Sequence, residues 1–159
     1  MTPPARAVRA AAKRSDSLSA SVENYLKTIY SLGGAHGAAA TNDIADRLNL
    51  TPASVTGMVR RLADQGLLAY ERYRGVRLTS AGRIAALRTV RRHRVIEAYL
   101  SKALGYRWDT VHDEAERLEH AASDDLVDRM AAAIGEPDED PHGAPIPSRH
   151  ESSIGRTPG

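Results

Sequence analysis

Residues 41–80 read TNDIADRLNLTPASVTGMVRRLADQGLLAYERYRGVRLTS, and the fold turns on this stretch. Ile44, Ala45 and Leu48 fall on one face of a short helix that Thr41 is expected to cap, and Asn49-Leu50 reads as a turn. Thr51 then caps a further helix with Pro52 at its first position, where the missing N–H would have had no partner anyway. That helix is expected to reach about Gln65 and stop at Gly66. Two helices joined by so short a turn make a helix-turn-helix, a pattern that alone fits many chains. The residues after Gly66 narrow it. Two apolar-alternating runs, LLAYE from Leu67 and VRLT from Val76, flank Arg72-Tyr73-Arg74-Gly75 and predict a β-hairpin whose turn ends in glycine.

Upstream, Val22, Tyr25, Leu26, Ile29 and Tyr30 repeat with the spacing of one helical face, giving a first helix with Ser21 as its expected cap and Gly33-Gly34 as its end. Helix, helix, helix, hairpin is the order of a winged helix-turn-helix. Downstream, Thr79 or Ser80 opens a long helix to about Leu104 that turns basic at Arg88, Arg91, Arg92 and Arg94 before Gly105 breaks it. A helix from about Asp109 to Ala122 comes next, and Ser123 caps a last short one ending near Ile134-Gly135. From Glu136 onward prolines and glycines predict a tail without regular structure. The expected fold is mainly α: a flexible basic arm over 1–17, a winged helix-turn-helix over 18–80, an all-helical domain over 81–135, and a Pro/Gly-rich tail over 136–159.

The net charge of +2 hides a division, because residues 1–100 hold 16 Lys and Arg against 7 Asp and Glu, while residues 101–159 hold 6 against 13. The first part suits a polyanion and the second suits cations. With no cysteine, disulfides, thiolate metal sites and cysteine nucleophiles are excluded. No run approaches the 18 or so apolar residues of a membrane span.

Two constellations carry chemistry. Thr51, Ala53, Ser54 and Gly57 are small or hydroxylated, letting their helix approach a major groove closely, while Arg60 and Arg61 can meet phosphates or a guanine edge. Arg72, Arg74 and Arg77 beside Tyr73 form a second basic projection suited to a phosphate backbone, so double-stranded DNA is the expected partner. In the acidic half, His93 and Glu97 lie four apart on the long helix, and His112, Glu116, Glu119 and His120 form one stripe on the next. Imidazoles and carboxylates without sulfur suit Mn2+, Fe2+, Co2+ or Zn2+ rather than Cu(I). Two rivals stay open at this level. A helical di-iron carboxylate enzyme would need Glu-x-x-His on two helices, which Glu116, Glu119 and His120 do not supply; a winged-helix regulator answering a small organic ligand would leave the His and Glu set as surface decoration.

Taken together, SVENYLKTIYSL, residues 41–83, RRHRVIEAYL, WDTVHDEAERLEH and PHGAPIP resemble the diphtheria toxin repressor family of metal-dependent transcription regulators, from about Leu18 to Pro147. The resemblance implies a cytoplasmic homodimer joined by the later helices, binding a palindromic operator and repressing metal-homeostasis genes. It also implies two metal sites. His93, Glu97 and His112 match an ancillary one; Glu116, Glu119 and His120, with Asn24 from the first helix, match the principal one. Iron-type members carry Cys where Glu116 stands and manganese regulators carry Glu, so Mn2+ is the implied ion, with Fe2+ the alternative and Co2+ or Zn2+ as substitutes. Asn24 replaces the Met or Asp of the two types, and Lys27 replaces a Glu ligand of the manganese type. The SH3-like third domain of longer members is expected to be missing, as in two-domain members.

Overall fold

The computed structural model describes residues 18–33 and 37–152. The expected basic arm and the last seven residues lie outside the described residues. Helix α1 spans Ala20–Gly33, α2 Thr41–Leu48 and α3 Pro52–Asp64; strands β1 (Leu68–Glu71) and β2 (Gly75–Leu78) come next, then α4 (Ser80–Leu104), α5 (Val111–Glu119) and α6 (Asp124–Ala133). The order is that of a winged helix followed by an all-helical unit, as expected.

The strands pair antiparallel with Leu68 opposite Leu78 and Glu71 opposite Gly75. Ala39, ahead of α2, adds a bridge to Val76, its N–H donating to the Val76 carbonyl at 2.7 Å and its carbonyl accepting the Val76 N–H at 2.9 Å. Gly75, at φ +116°, is required there: any Cβ would run into the Ala39 carbonyl oxygen. The same bridge explains one departure from expectation. It fixes where the chain enters α2, so Ala40 holds the cap position of α2 without a side-chain bond and Thr41 is already helical. On α1 the capping hydroxyl belongs to Ser19, which accepts the Val22 N–H at 3.2 Å, not to Ser21. Thr51, Thr79 and Ser123 cap α3, α4 and α6 as their spacing predicts.

Tyr25, Leu26 and Ile29 of α1, Ile44 of α2, Val55, Val59 and Leu62 of α3, and Val76 of the wing form one core. A second core sits where α4 meets α5 and α6, around Val95, Ile96, Val111, Ala115 and Val127. Helix α4 serves both. Three of the arginines of its basic run are paired with acids: Arg88 to Asp124 at 2.7 Å, Arg91 to Asp128 at 3.1 Å, and Arg92 to Glu23 of α1 at 2.9 Å. The tail over 136–152 has turns and one isolated bridge, Glu139 with Pro145, and no longer element. It is nevertheless strapped to α4, where Arg91 donates to the Pro147 carbonyl at 3.1 Å and Arg94 to that of Pro145. No helix among the described residues is long and apolar enough to cross a membrane.

Candidate metal centre and nucleic-acid interface

His93 and Glu97 lie one turn apart on α4 and are both buried, because that turn faces α5 and α1. His112, at the start of α5, completes a trio: its Nδ1 is 3.1 Å from His93 Nε2 and 3.4 Å from Glu97 Oε1. His93 Nε2 and Glu97 Oε1 are in direct contact. The other face of Glu97 meets the tail, with His142 Nδ1 2.7 Å from Oε2 and Asp140 3.8 Å from His142. Among the described residues, the groups of three or more carboxylate and imidazole ligand atoms within mutual reach are His93, Glu97 and His112, and Glu97, Asp140 and His142. Both share Glu97, and both line an open cavity of about 740 Å³ that Asn24, Lys27 and Glu116 also border.

The electrostatics of this cluster are those of a site short of positive charge. Burial would push the His93 imidazole down, yet its hydrogen bonds to Glu119 and Glu97 carry it up to about 9. Burial would raise Glu97, and the bond from His93 with the nearby His142 holds it below the usual carboxylate range instead. His142 is raised, first by donating its Nε2–H to the Trp108 carbonyl at 2.7 Å and then by the Glu97 charge. That same bond sets the ring's tautomer, so a neutral His142 turns the lone pair of Nδ1 toward Glu97, as a ligand requires. Glu97 Oε2 is buried without a well-aligned hydrogen bond. Oxygen and nitrogen donors converging on an under-bonded buried carboxylate fit a divalent cation.

The second expected set, Glu116, Glu119, His120 and Asn24, does not gather in this way. The Lys27 ammonium from α1 stands between the two glutamates, 2.6 Å from Glu119 Oε1 and 3.6 Å from Glu116 Oε1. The remaining Glu119 oxygen takes His93 Nδ1 at 2.5 Å, and these partners hold the fully buried Glu119 carboxyl low against the upward push of burial. Helix α5 ends at Glu119, so His120 sits at its cap, with Nε2 3.2 Å from Glu119 and Nδ1 3.9 Å from Glu23. Glu116 instead reaches His112 Nε2 at 3.4 Å. Sequence reasoning missed Asp140 and His142, which belonged to a stretch expected to be irregular; the signal was a histidine between Pro141 and Gly143 after an acidic run. It also passed over Glu23, which is buried and receives both Arg92 and the Thr89 hydroxyl.

The expected DNA-facing residues are displayed together on the outer surface of α3 and the wing: Thr51, Ala53, Ser54, Arg60, Arg61, Arg72, Arg74 and Arg77 are all exposed. The Thr51 hydroxyl already accepts the Ser54 N–H at 3.2 Å and donates to the Ser54 Oγ at 2.9 Å, so its first role is to cap α3. At the wing tip Tyr73 adopts φ +64° and is 92% exposed, with the Arg72 guanidinium 5.0 Å above its ring. An aromatic held out into solvent between arginines suits a groove edge lined with phosphate.

Two family models match: the N-terminal DNA-binding domain of iron-dependent repressors over residues 17–76, and their metal-binding and dimerisation domain over residues 79–148. The chain is 36% identical over 137 residues to the iron-dependent repressor IdeR of Mycobacterium tuberculosis, covering 86% of this chain and 60% of the relative. It is 36% identical over 121 residues to the HTH-type transcriptional regulator MntR of Lysinibacillus sphaericus, covering 76% and 86%. Among solved structures, a manganese-dependent transcriptional repressor in complex with manganese is similar at a TM-score of 0.74 and 45% identity, over 80% of this chain and 59% of that one. The chain thus spans about three fifths of the length of the IdeR relatives.

Proposed function

Because this chain belongs to the iron-dependent repressor family, we propose that it is a metal-responsive DNA-binding transcriptional repressor that acts on a palindromic operator as a homodimer. The observation that carries the reading is the Glu97 cluster, built from α4, α5 and the tail within a cavity that α1 borders. His93, Glu97 and His112, joined by Asp140 and His142, would hold the ion, which when bound supplies the positive charge these acids and imidazoles are arranged around. The nitrogen and oxygen donors favour Mn2+, with Fe2+ the alternative and Co2+ or Zn2+ as substitutes. The relatives are named as iron- or manganese-dependent, which supports a metal signal over a small organic one; they are repressors, and no enzymatic role is proposed.

The chain's own residues link the cluster to the DNA surface. Glu23 and Lys27 tie α1 to α4 and α5, and α1 also contributes Leu26 and Ile29 to the core beneath α3. A signal that fixes α1 against α5 therefore fixes the bearing of α3 and the wing, and a ligand that prefers that arrangement shifts the population toward it. A dimer joined by the later helices is supported by the exposed apolar side chains Leu104, Trp108, Leu118 and Leu126, of which Trp108 is 65% exposed. The test is operator binding after EDTA treatment and again after adding Mn2+. Restoration by Mn2+ is expected, and affinity indifferent to both would overturn the reading.

A further inference from the structure

At the second expected metal site the residues do not fit a divalent ion, and the reason is visible in a single side chain. Lys27 lies on the same face of α1 as Asn24 and Glu23, and its stem runs into the cavity, where its side chain is 19% exposed. Its ammonium meets Glu119 Oε1 at 2.6 Å and Glu116 Oε1 at 3.6 Å. Glu119 is wholly buried, and a carboxylate there needs a cation or several donors to offset lost hydration. It has them without any ion: Lys27 on one oxygen, His93 on the other and His120 alongside. A divalent ion among Glu116, Glu119 and His120 would have to displace the ammonium and then sit beside it.

We propose that Lys27 is a tethered cation standing in for the second metal ion. Divalent ions are then taken only at the Glu97 cluster, and the bond between the DNA-binding unit and α5 forms before any metal arrives. The covalent tether matters. An ion reports its free concentration, whereas an ammonium on α1 is always present, so the Lys27–Glu119 bond sets a constant bias toward the docked arrangement and the Glu97 cluster alone carries the response to metal. The inference rests on the metal-responsive reading above.

The experiment compares full-length wild type with Lys27→Glu and Lys27→Gln, folding being checked by circular dichroism. Bound Mn2+ per protomer is measured by equilibrium dialysis and by the electron paramagnetic resonance of the free ion. Lys27→Glu, which removes the ammonium and adds a carboxylate, is expected to bind one Mn2+ more than wild type. Lys27→Gln, which lacks the charge but keeps most of the stem, is expected to lose roughly fivefold or more of the operator affinity that wild type retains in EDTA, the lower end of typical coupling between sites. Equal ion counts in wild type and Lys27→Glu overturn the proposal, as does unchanged EDTA-state affinity in Lys27→Gln. Wild type that binds no Mn2+ at all defeats the metal reading itself, a result distinct from wild type that binds the ion while Lys27→Glu gains none.

Discussion

Single residues fix the wing more tightly than its exposed position suggests. Gly75 combines a positive φ with a backbone approach to Ala39 that leaves no room for a methyl group. Gly75→Ala should lower stability by about 2 kcal/mol or more, through strain and loss of the Ala39–Val76 bridge, as read by urea unfolding; a change within about 0.5 kcal/mol would mean the hairpin can swing away from α2. The arginines beside it make the opposite kind of prediction. Arg72, Arg74 and Arg77 are exposed and take no part in the core, so replacing any one by Ala should leave stability alone and weaken binding to all DNA sequences alike. The slope of log affinity against log salt should fall by about one unit per arginine, and an unchanged slope would remove that residue from the interface.

Among the elements, α4 is the one whose reading changed most on passing from sequence to structure. Its extent followed from the Thr79 cap and Gly105, because such signals are local. The destination of its arginines was not legible, since a salt bridge between residues 36 apart, as in Arg88 and Asp124, leaves no mark on periodicity. The same limit hid His142 and Asp140, which reach Glu97 only because distant arginines strap down a segment that has no regular structure of its own. His93, Glu97 and His112 were legible, as helical spacing places two of them and the resemblance supplied the third. Asp124 links α4 to α6 through Arg88 and Arg92, and these partners hold its carboxyl below the usual value of about 3.8 despite the upward push of burial. A depressed folded value contributes stability that is present above the unfolded pKa and lost as pH falls through the folded one. Asp124→Asn should therefore cost roughly 1–2 kcal/mol near neutrality and almost nothing once the pH has fallen through the depressed folded value. Equal losses at both pH values would show that packing, not charge, accounts for the effect.

For the whole molecule, one long helix, α4, packs into the core of the winged helix and into that of the later helices, and the exposed Leu104, Trp108, Leu118 and Leu126 of the later helices offer apolar surface to a second copy. Leu126→Asp places a charge among these side chains, away from His142, and should convert a dimer to monomer in sedimentation at micromolar concentration while leaving Mn2+ binding as it was; a dimer that persists would move the interface elsewhere. The strapped tail has a consequence on a different axis, that of time. Over residues 138–147 its amides are held only by a lone bridge, short-range turns and the Asp140 carboxylate, and the segment is tied down by guanidinium-to-carbonyl bonds, with no helix or ladder behind them. Such a segment opens without the rest of the protein, at the low end of the range of opening free energies, so its deuterium uptake should outpace that of α4 by orders of magnitude. An ion held through Asp140 and His142 would have to leave before the segment could peel away, and at one hundred times its dissociation constant it would add about 2.7 kcal/mol to that opening. Deuterium uptake there would then slow by about a hundredfold in saturating Mn2+, while uptake in the wing stays as it was, which makes this short irregular stretch a clock that runs at the pace of the free metal.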